Sequence, residues 1–317
     1  MEQEQTTIII EEEKEKKSPK KPFFKRHKNE VVAYSLLAFP LIWFTIFFVV
    51  GFIRGFAYSL TDYDLRFSEI RGINFIGFKN YIKLFNDSNV WNGLKNSFIW
   101  TVVMLVGNNG LGLLMAVLIN SLRKGKGGFL AALYWPTLVS AAVSTQITLY
   151  FFRPTADGVM NIIIGNLFNK GPIAWFENEK TALLSLMIQP FFLGFSMKMM
   201  IYYAGIKGIP KLYYESASLE TNSKWKVFVY ITVPLLAPVV FLNVILSFID
   251  GFKVLAPMQL ITPDNPYTES LVYYLYNEAF TKTKIGYSSA IAFFLFAIIM
   301  VVTILQNLVK KKEVSYE

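Results

Sequence analysis

Three polar residues, Asn243, Ser247 and Asp250, break an otherwise apolar stretch at i, i+4 and i+7 spacing. On a helix that spacing puts them on one face. A carboxylate there can accept hydrogen bonds from two adjacent hydroxyls at once. The chemistry on offer is recognition of a hydroxylated solute, and Gly251 and Val254 extend the candidate site. Asn108, Asn109, Gln146, Gln189 and Lys198 also lie within apolar runs, where polar groups are costly and therefore functional candidates. The plainer expectation for Asn108, Asn109 and Gln146 is hydrogen bonding between helices. For Lys198 it is a long stem carrying the ammonium to the nearer surface. For Asp250 it is a helix-end carboxylate in outer water.

A second constellation, Glu215-Ser216-Ala217-Ser218-Leu219-Glu220-Thr221-Asn222, is a polar insert between two apolar segments. Pro210 suits the first turn of a helix over residues 211–220. Leu212, Ser216 and Leu219 then share one face. Small Ser216 and Ala217 would let another protein approach, and Glu215 offers it an acceptor. Ser223 can cap the next helix. Trp225 and Phe228 suit a membrane interface, and Pro234 falls inside the following apolar run.

Apolar spans must position both constellations. The 317 residues are 54% hydrophobic and 16% aromatic, and mean hydropathy is +0.40. Nearly charge-free runs cover residues 31–53, 96–122, 127–152, 181–206, 227–249 and 285–309. Each supplies the ~20 residues a helix needs to cross ~30 Å of hydrocarbon. Open strands would leave backbone groups unpaired in lipid. The expected fold is all-α and polytopic, with six transmembrane helices over residues 31–312. Residues 1–30 form a charged, disordered tail, and residues 205–226 form an inner loop. The segment between the first two spans has the Asp, Asn, Gly and aromatic content of a folded cap.

The net charge of +9 is unevenly spread. With the N-terminus inside, inner segments carry 18 Lys and Arg against 12 on the longer outer segments. That is the positive-inside bias, with both termini cytoplasmic in the cell membrane. It accounts for the basic charge without nucleic acid. Cysteine is absent, so disulfides, a thiol nucleophile and a thiolate metal site are excluded, and the single histidine, His27, lies in the charged tail as a solvated residue.

The insert, together with Trp225, Phe228 and Ile231-Thr232-Val233-Pro234, resembles the cytoplasmic coupling loop of ATP-binding-cassette importer permeases. Their pattern has Gly where Thr221 stands, and Gly there permits a left-handed residue that ends the helix. Thr tolerates that conformation poorly and Asn better, so the resemblance implies a turn shifted to Asn222. Further matching stretches are residues 58–63, 78–81, 152–158, 208–210 and 269–274. Together they resemble the maltose-type, binding-protein-dependent sugar importers over nearly the whole chain from about Ala33. The resemblance implies the type I importer permease fold. It implies coupling to an ATPase through Glu215, Ser216, Ala217, Leu219, Glu220, Thr221, Asn222 and Pro234. It further implies that Ser247, Asp250, Gly251 and Val254 match sugar-touching positions, as do Leu193, Gly194 and Met197 on the fourth span. Side chains differ at several of them, which implies a different substrate.

The implied partners are a second homologous permease, two ATPase subunits, an extracytoplasmic sugar-binding protein and membrane lipid. This chain would hold no cofactor, ATP and Mg being bound by the ATPase, and would perform no covalent chemistry. A glycerol phosphate or other polar-solute permease of the same family is the serious alternative. An ion-coupled transporter would need more buried carboxylates than Asp250. A membrane enzyme would need a catalytic cluster, and the motor itself would need GxxxxGK[ST]. The Gly107–Gly112 run GNNGLG, inside an apolar stretch, suits helix packing instead.

Overall fold

The structure, a computed structural model, describes residues 28–313. Residues 1–27 of the expected tail lie outside the described residues. Among the described residues every regular element is helical, and strand pairing is limited to an isolated bridge between Thr61 and Phe75. The chain forms two packing units, divided after Gly55.

In the first unit, α1 (Lys28–Phe44) passes through a π-helical turn, Thr45–Val49, into α2 (Val50–Ser59). Phe44 and Phe48 stack at 5.1 Å, and Trp43 and Phe47 lie 4.3 Å apart. The side chains over the apolar stretch are exposed. A helix apolar all round is a membrane span.

The second unit is organised on α5 (Ser88–Ser121). Its 34 residues extend about 51 Å at 1.5 Å per residue, more than enough to cross a bilayer. Asp87 caps its start, accepting from the Asn89 N–H at 3.0 Å. Two further long helices, α9 (Ala182–Gly208) and α12 (Val233–Phe252), pack most extensively against α5. The last span is α15 (Ile285–Glu313).

Glycines set the approach of these helices. A Cβ at Gly112 would come 2.9 Å from the Lys198 Cβ and 3.0 Å from the Met199 nitrogen, so only Gly lets α9 lie this close. A Cβ at Gly107 would strike the Phe191 ring. The glycine run therefore is a packing surface. Toward one end of α5, Trp100 and Met104 pack with Leu186, Met187 and Met258. Toward the other, Ala116 and Ile119 pack with Met199, Tyr202, Ile206 and Leu236.

The expected third span is bent. Helix α6 (Lys126–Tyr134), continued by a 3-10 turn at Trp135–Leu138, meets α7 (Ala141–Phe151) at 89°. Val139 and Ser140 are extended, and the Ser140 hydroxyl accepts from the Val143 N–H at 3.4 Å, capping a new helix. Among the described residues five helices are long and apolar enough to cross a membrane, six if the bent pair is counted as one span.

The segment before α5 is a folded cap. In it a short α3 (Ser68–Arg71) precedes α4 (Lys79–Phe85), whose Asn80 amide donates to the carbonyls of Ser59 at 2.9 Å and Thr61 at 2.8 Å. After α7, Asn161 organises a loop, accepting from the Trp175 indole at 2.9 Å and donating to the Arg153 carbonyl at 3.1 Å. It lies on α8 (Val159–Phe168).

Candidate functional site

A cavity of about 240 Å³ opens where α5, α9 and α12 meet. It is lined by Trp100, Met104 and Asn108 from α5, by Pro190, Gly194, Met197 and Lys198 from α9, and by Ser247, Asp250 and Gly251 from α12. Of the expected solute-contact residues, Ser247, Asp250, Gly251, Gly194 and Met197 thus come together. Asn243, Leu193 and Val254 do not line it. Asn243 is fully buried. Leu193 borders an apolar cavity of about 470 Å³ with Phe151, Phe192 and Pro136. Val254 packs beside Met258 and Tyr273, its carbonyl accepting from the Ser270 hydroxyl at 2.8 Å.

Two lining residues also serve packing. A Cβ at Gly194 would strike the Asn108 amide, and one at Gly251 would lie 2.6 Å from the Thr101 hydroxyl. Their absent side chains let α9 and α12 close on α5, which places the polar groups around one space.

The polar groups differ in how far the chain satisfies them. Asn109 joins the helices: it accepts from the Tyr202 hydroxyl at 2.8 Å and donates to the Ser247 hydroxyl at 2.9 Å. This is the interhelical bonding expected of it. Asn108 has only a weak contact with Met104 sulfur at 3.7 Å, and its buried Oδ1 has no partner. Gln146 is exposed. Asp250 is exposed toward the cavity, whereas Ser247 and Gly251 are buried.

Lys198 departs from expectation. It is 9% exposed and lines the cavity, with Asp250 acting on it electrostatically. It does not run to the surface, because close packing at Gly112 fixes the helix face it occupies.

At the other end of α5, the polar insert forms helix α10 (Lys211–Glu220) as expected, with Pro210 just before its first residue. Leu212 is 70% exposed and Leu219 is 90% exposed, with Ser216 on the same open face. Glu215 and Glu220 are exposed beside them. Ala217 is largely covered within this chain, 9% exposed, unlike its neighbours Ser216 and Ser218. Tyr214, which the sequence did not single out, ties α10 to the next span through a 3.3 Å contact between its hydroxyl and that of Thr232.

The expected left-handed turn at Asn222 is absent; the described non-glycine residues with positive φ are Asn169, Asp264 and Thr283. Thr221 instead ends the helix in extended conformation, at φ −153° and ψ 139°. Its hydroxyl accepts from the Ser223 N–H at 3.2 Å, an alternative to a left-handed cap. Ser223 caps the four-residue α11 (Lys224–Val227) as expected, accepting from the Lys226 N–H at 3.4 Å. A π-helical turn, Phe228–Thr232, then leads into α12, with Pro234 in its first turn, where the missing N–H is tolerated. Trp225 is 71% exposed and Phe228 lies 5.7 Å from it, ring to ring.

Residues 29–314 match the family model of the binding-protein-dependent transport system inner membrane component. The chain belongs to this family. It is therefore a multi-pass membrane component of a transport system that depends on a binding protein. The probable permease YesP of Bacillus subtilis is 28% identical over 92% of this chain and 94% of that protein. The arabinooligosaccharide permease AraP of the same organism is 29% identical, over 86% and 88% respectively. The sn-glycerol-3-phosphate permease UgpA of Rhizobium meliloti is 28% identical, over 91% and 97%. A chain of the bacterial alginate ABC transporter, solved with its alginate pentasaccharide-bound periplasmic protein, superposes with a TM-score of 0.79. At 18% identity, covering 93% of this chain and 99% of that one, it shows the shared importer permease fold.

Proposed function

We propose that this chain is one permease subunit of an ATP-driven carbohydrate importer and that the α5–α9–α12 cavity lies on its solute path. The observation that carries the reading is the convergence of Ser247, Asp250 and the unpartnered Asn108 oxygen on one cavity inside a bundle of apolar helices. Buried polar groups without partners are costly, and hydroxyls of a passing solute satisfy them. Relatives named for arabinooligosaccharides and multiple sugars support a saccharide.

In this reading α10 faces the cytoplasm, as do both termini, in line with the basic residues on those segments. Glu215, Ser216, Leu219 and Glu220 contact one of two ATPase subunits, which bind ATP and Mg. A second homologous permease completes the path, and an extracytoplasmic binding protein delivers the solute at the opposite end. ATPase closure moves α10, and the Tyr214–Thr232 contact passes that motion to α12, whose far end carries Ser247 and Asp250. The spans then rock between outward-open and inward-open arrangements.

The test is ATP hydrolysis by the complete complex in nanodiscs, with the binding protein and a panel of mono- and oligosaccharides. Stimulation by a saccharide supports the reading. A complex without ATPase subunits, unstimulated by every saccharide, contradicts it. Asp250→Ala should lower uptake by about tenfold while leaving ATPase co-purification intact; unchanged uptake removes Asp250 from the path.

A further inference from the structure

The cavity holds a charge that recognition of hydroxyls does not use. Among the described residues, the Lys198 ammonium donates no hydrogen bond and meets no carboxylate at ion-pair distance, although the residue is 9% exposed. Its neighbours on α9, Ser196 and Met199, are fully buried. Contact between Gly112 and the Lys198 Cβ prevents the helix from rotating to bring the stem to the surface. The space beside Lys198 is the cavity that Asn108 and Asp250 also line.

The ammonium opens on the cavity and is not sealed from it, and a charge so largely withdrawn from water is costly unless it is paired and hydrogen-bonded. Asp250 is exposed and out of contact, so it compensates Lys198 only through space. A neutral solute would leave the ammonium without a counter-ion. An anionic group on the solute would form charge-assisted hydrogen bonds with it. Hydroxyls elsewhere on the same molecule could donate to the Asn108 oxygen and the Asp250 carboxylate. The exposure of Asp250 lets solvent screen its repulsion of that anion.

We propose that Lys198 sets the charge preference of the solute path, and that the solute is a polyhydroxylated molecule carrying an anionic group, carboxylate or phosphate. The proposal rests on the reading that this cavity lies on the path.

The experiment uses the complete complex with its binding protein in proteoliposomes. Uptake is measured for trigalacturonate, for its uncharged counterpart galactotriose and for sn-glycerol 3-phosphate. Wild-type complex should take up an anionic probe, and which one distinguishes carboxylate from phosphate. Lys198→Met should lower that uptake at least tenfold without lowering uptake of galactotriose. Lys198→Arg should stay within about threefold of wild type, and Lys198→Glu should fall furthest. Uptake of galactotriose alone, unchanged in Lys198→Met, overturns the assignment and leaves the importer reading standing. Equal loss of anionic and neutral uptake in Lys198→Met also overturns it, because the role is then structural. No uptake of any probe by wild type overturns both.

Discussion

The two ends of α5 are built on opposite plans. At its start, polar groups are satisfied within the chain. The Asp87 carboxylate receives the hydroxyls of Tyr274, on α14 (Leu271–Tyr276), and of Tyr287, each at 2.6 Å. Asn92 donates to the Pro266 carbonyl at 2.7 Å and Asn96 to the Glu269 carbonyl at 3.0 Å. These bonds join segments more than 170 residues apart and lock that end into a rigid cap. At the finish of α5 the chain leaves Leu212, Leu219 and Trp225 largely exposed on a polar element. Tyr214 and the buried Ala217 help seat α10. The start too exposes apolar residues, among them Ile70, Phe75 and Phe78, so the ends differ in their hydrogen bonding: a cross-tied end suits a lid over the path, and a loosely tied polar helix suits a partner that completes it.

The contrast can be broken most sharply at the open end. Leu219→Asp should reduce transport more than tenfold and release the ATPase subunits during purification, with no change in the thermal stability of this chain. Loss of stability with retained ATPase would mean that Leu219 packs internally. Ala217→Asp should behave in the opposite way, destabilising the chain itself, because that side chain points into its own fold.

At the closed end, Asp87→Ala leaves two buried phenols without their acceptor. Charged hydrogen bonds of this kind contribute roughly 1.5–3 kcal/mol each, so losing the two should appear as about 3–6 kcal/mol in thermal unfolding. Between the ends, Gly194→Ala should cost about 1–3 kcal/mol through overpacking against Asn108. A neutral stability effect would show that α5 and α9 yield more readily than their contact suggests.

The smallest expected effect is pH-dependent. Burial lifts the Glu269 carboxyl to about 7, the nearby carboxylates Asp264, Asp87 and Glu278 adding to the lift and Lys282 opposing it. A raised folded-state value means that stability is fully present below the unfolded value near 4.5 and is lost as pH rises through about 7. Asp87 goes the other way. Its burial would raise it, but the bonds from Tyr274 and Tyr287 outweigh that and hold it below the usual carboxylate range, so its contribution disappears only in acid. The melting temperature should therefore fall by a few degrees between pH 5 and pH 8, and Glu269→Gln should flatten that slope. A slope unchanged by Glu269→Gln would assign the titration elsewhere.

Much of this was legible in the sequence, for physical reasons. Runs of apolar residues reveal span length, so the six segments could be read directly. Ser223 and the cap around Asn80 follow from local hydrogen-bonding chemistry. Composition does not reveal direction, and the 89° bend between α6 and α7 was missed; Pro136 and Ser140 were its available signals. The turn at Thr221 was misread because its own hydroxyl offered a route other than a left-handed residue. The burial of Lys198 and Ala217 was not legible, for a shared reason. Their burial depends on which face another helix presses, and spacing along one helix cannot show that. That Asn109 would bond between helices was legible, but its partner Tyr202 emerges only when α5 and α9 are brought together.

The most direct test of the difference between the ends uses the absence of cysteine from the chain. Leu219→Cys, the sole thiol in this subunit, would be treated with a short bifunctional crosslinker in the purified complete complex, with Asn86→Cys at the closed end as its counterpart. The account predicts an ATP-dependent crosslink from position 219 to an ATPase subunit and none from position 86. No crosslink from position 219 under any nucleotide condition, or an ATPase crosslink from position 86, would contradict it.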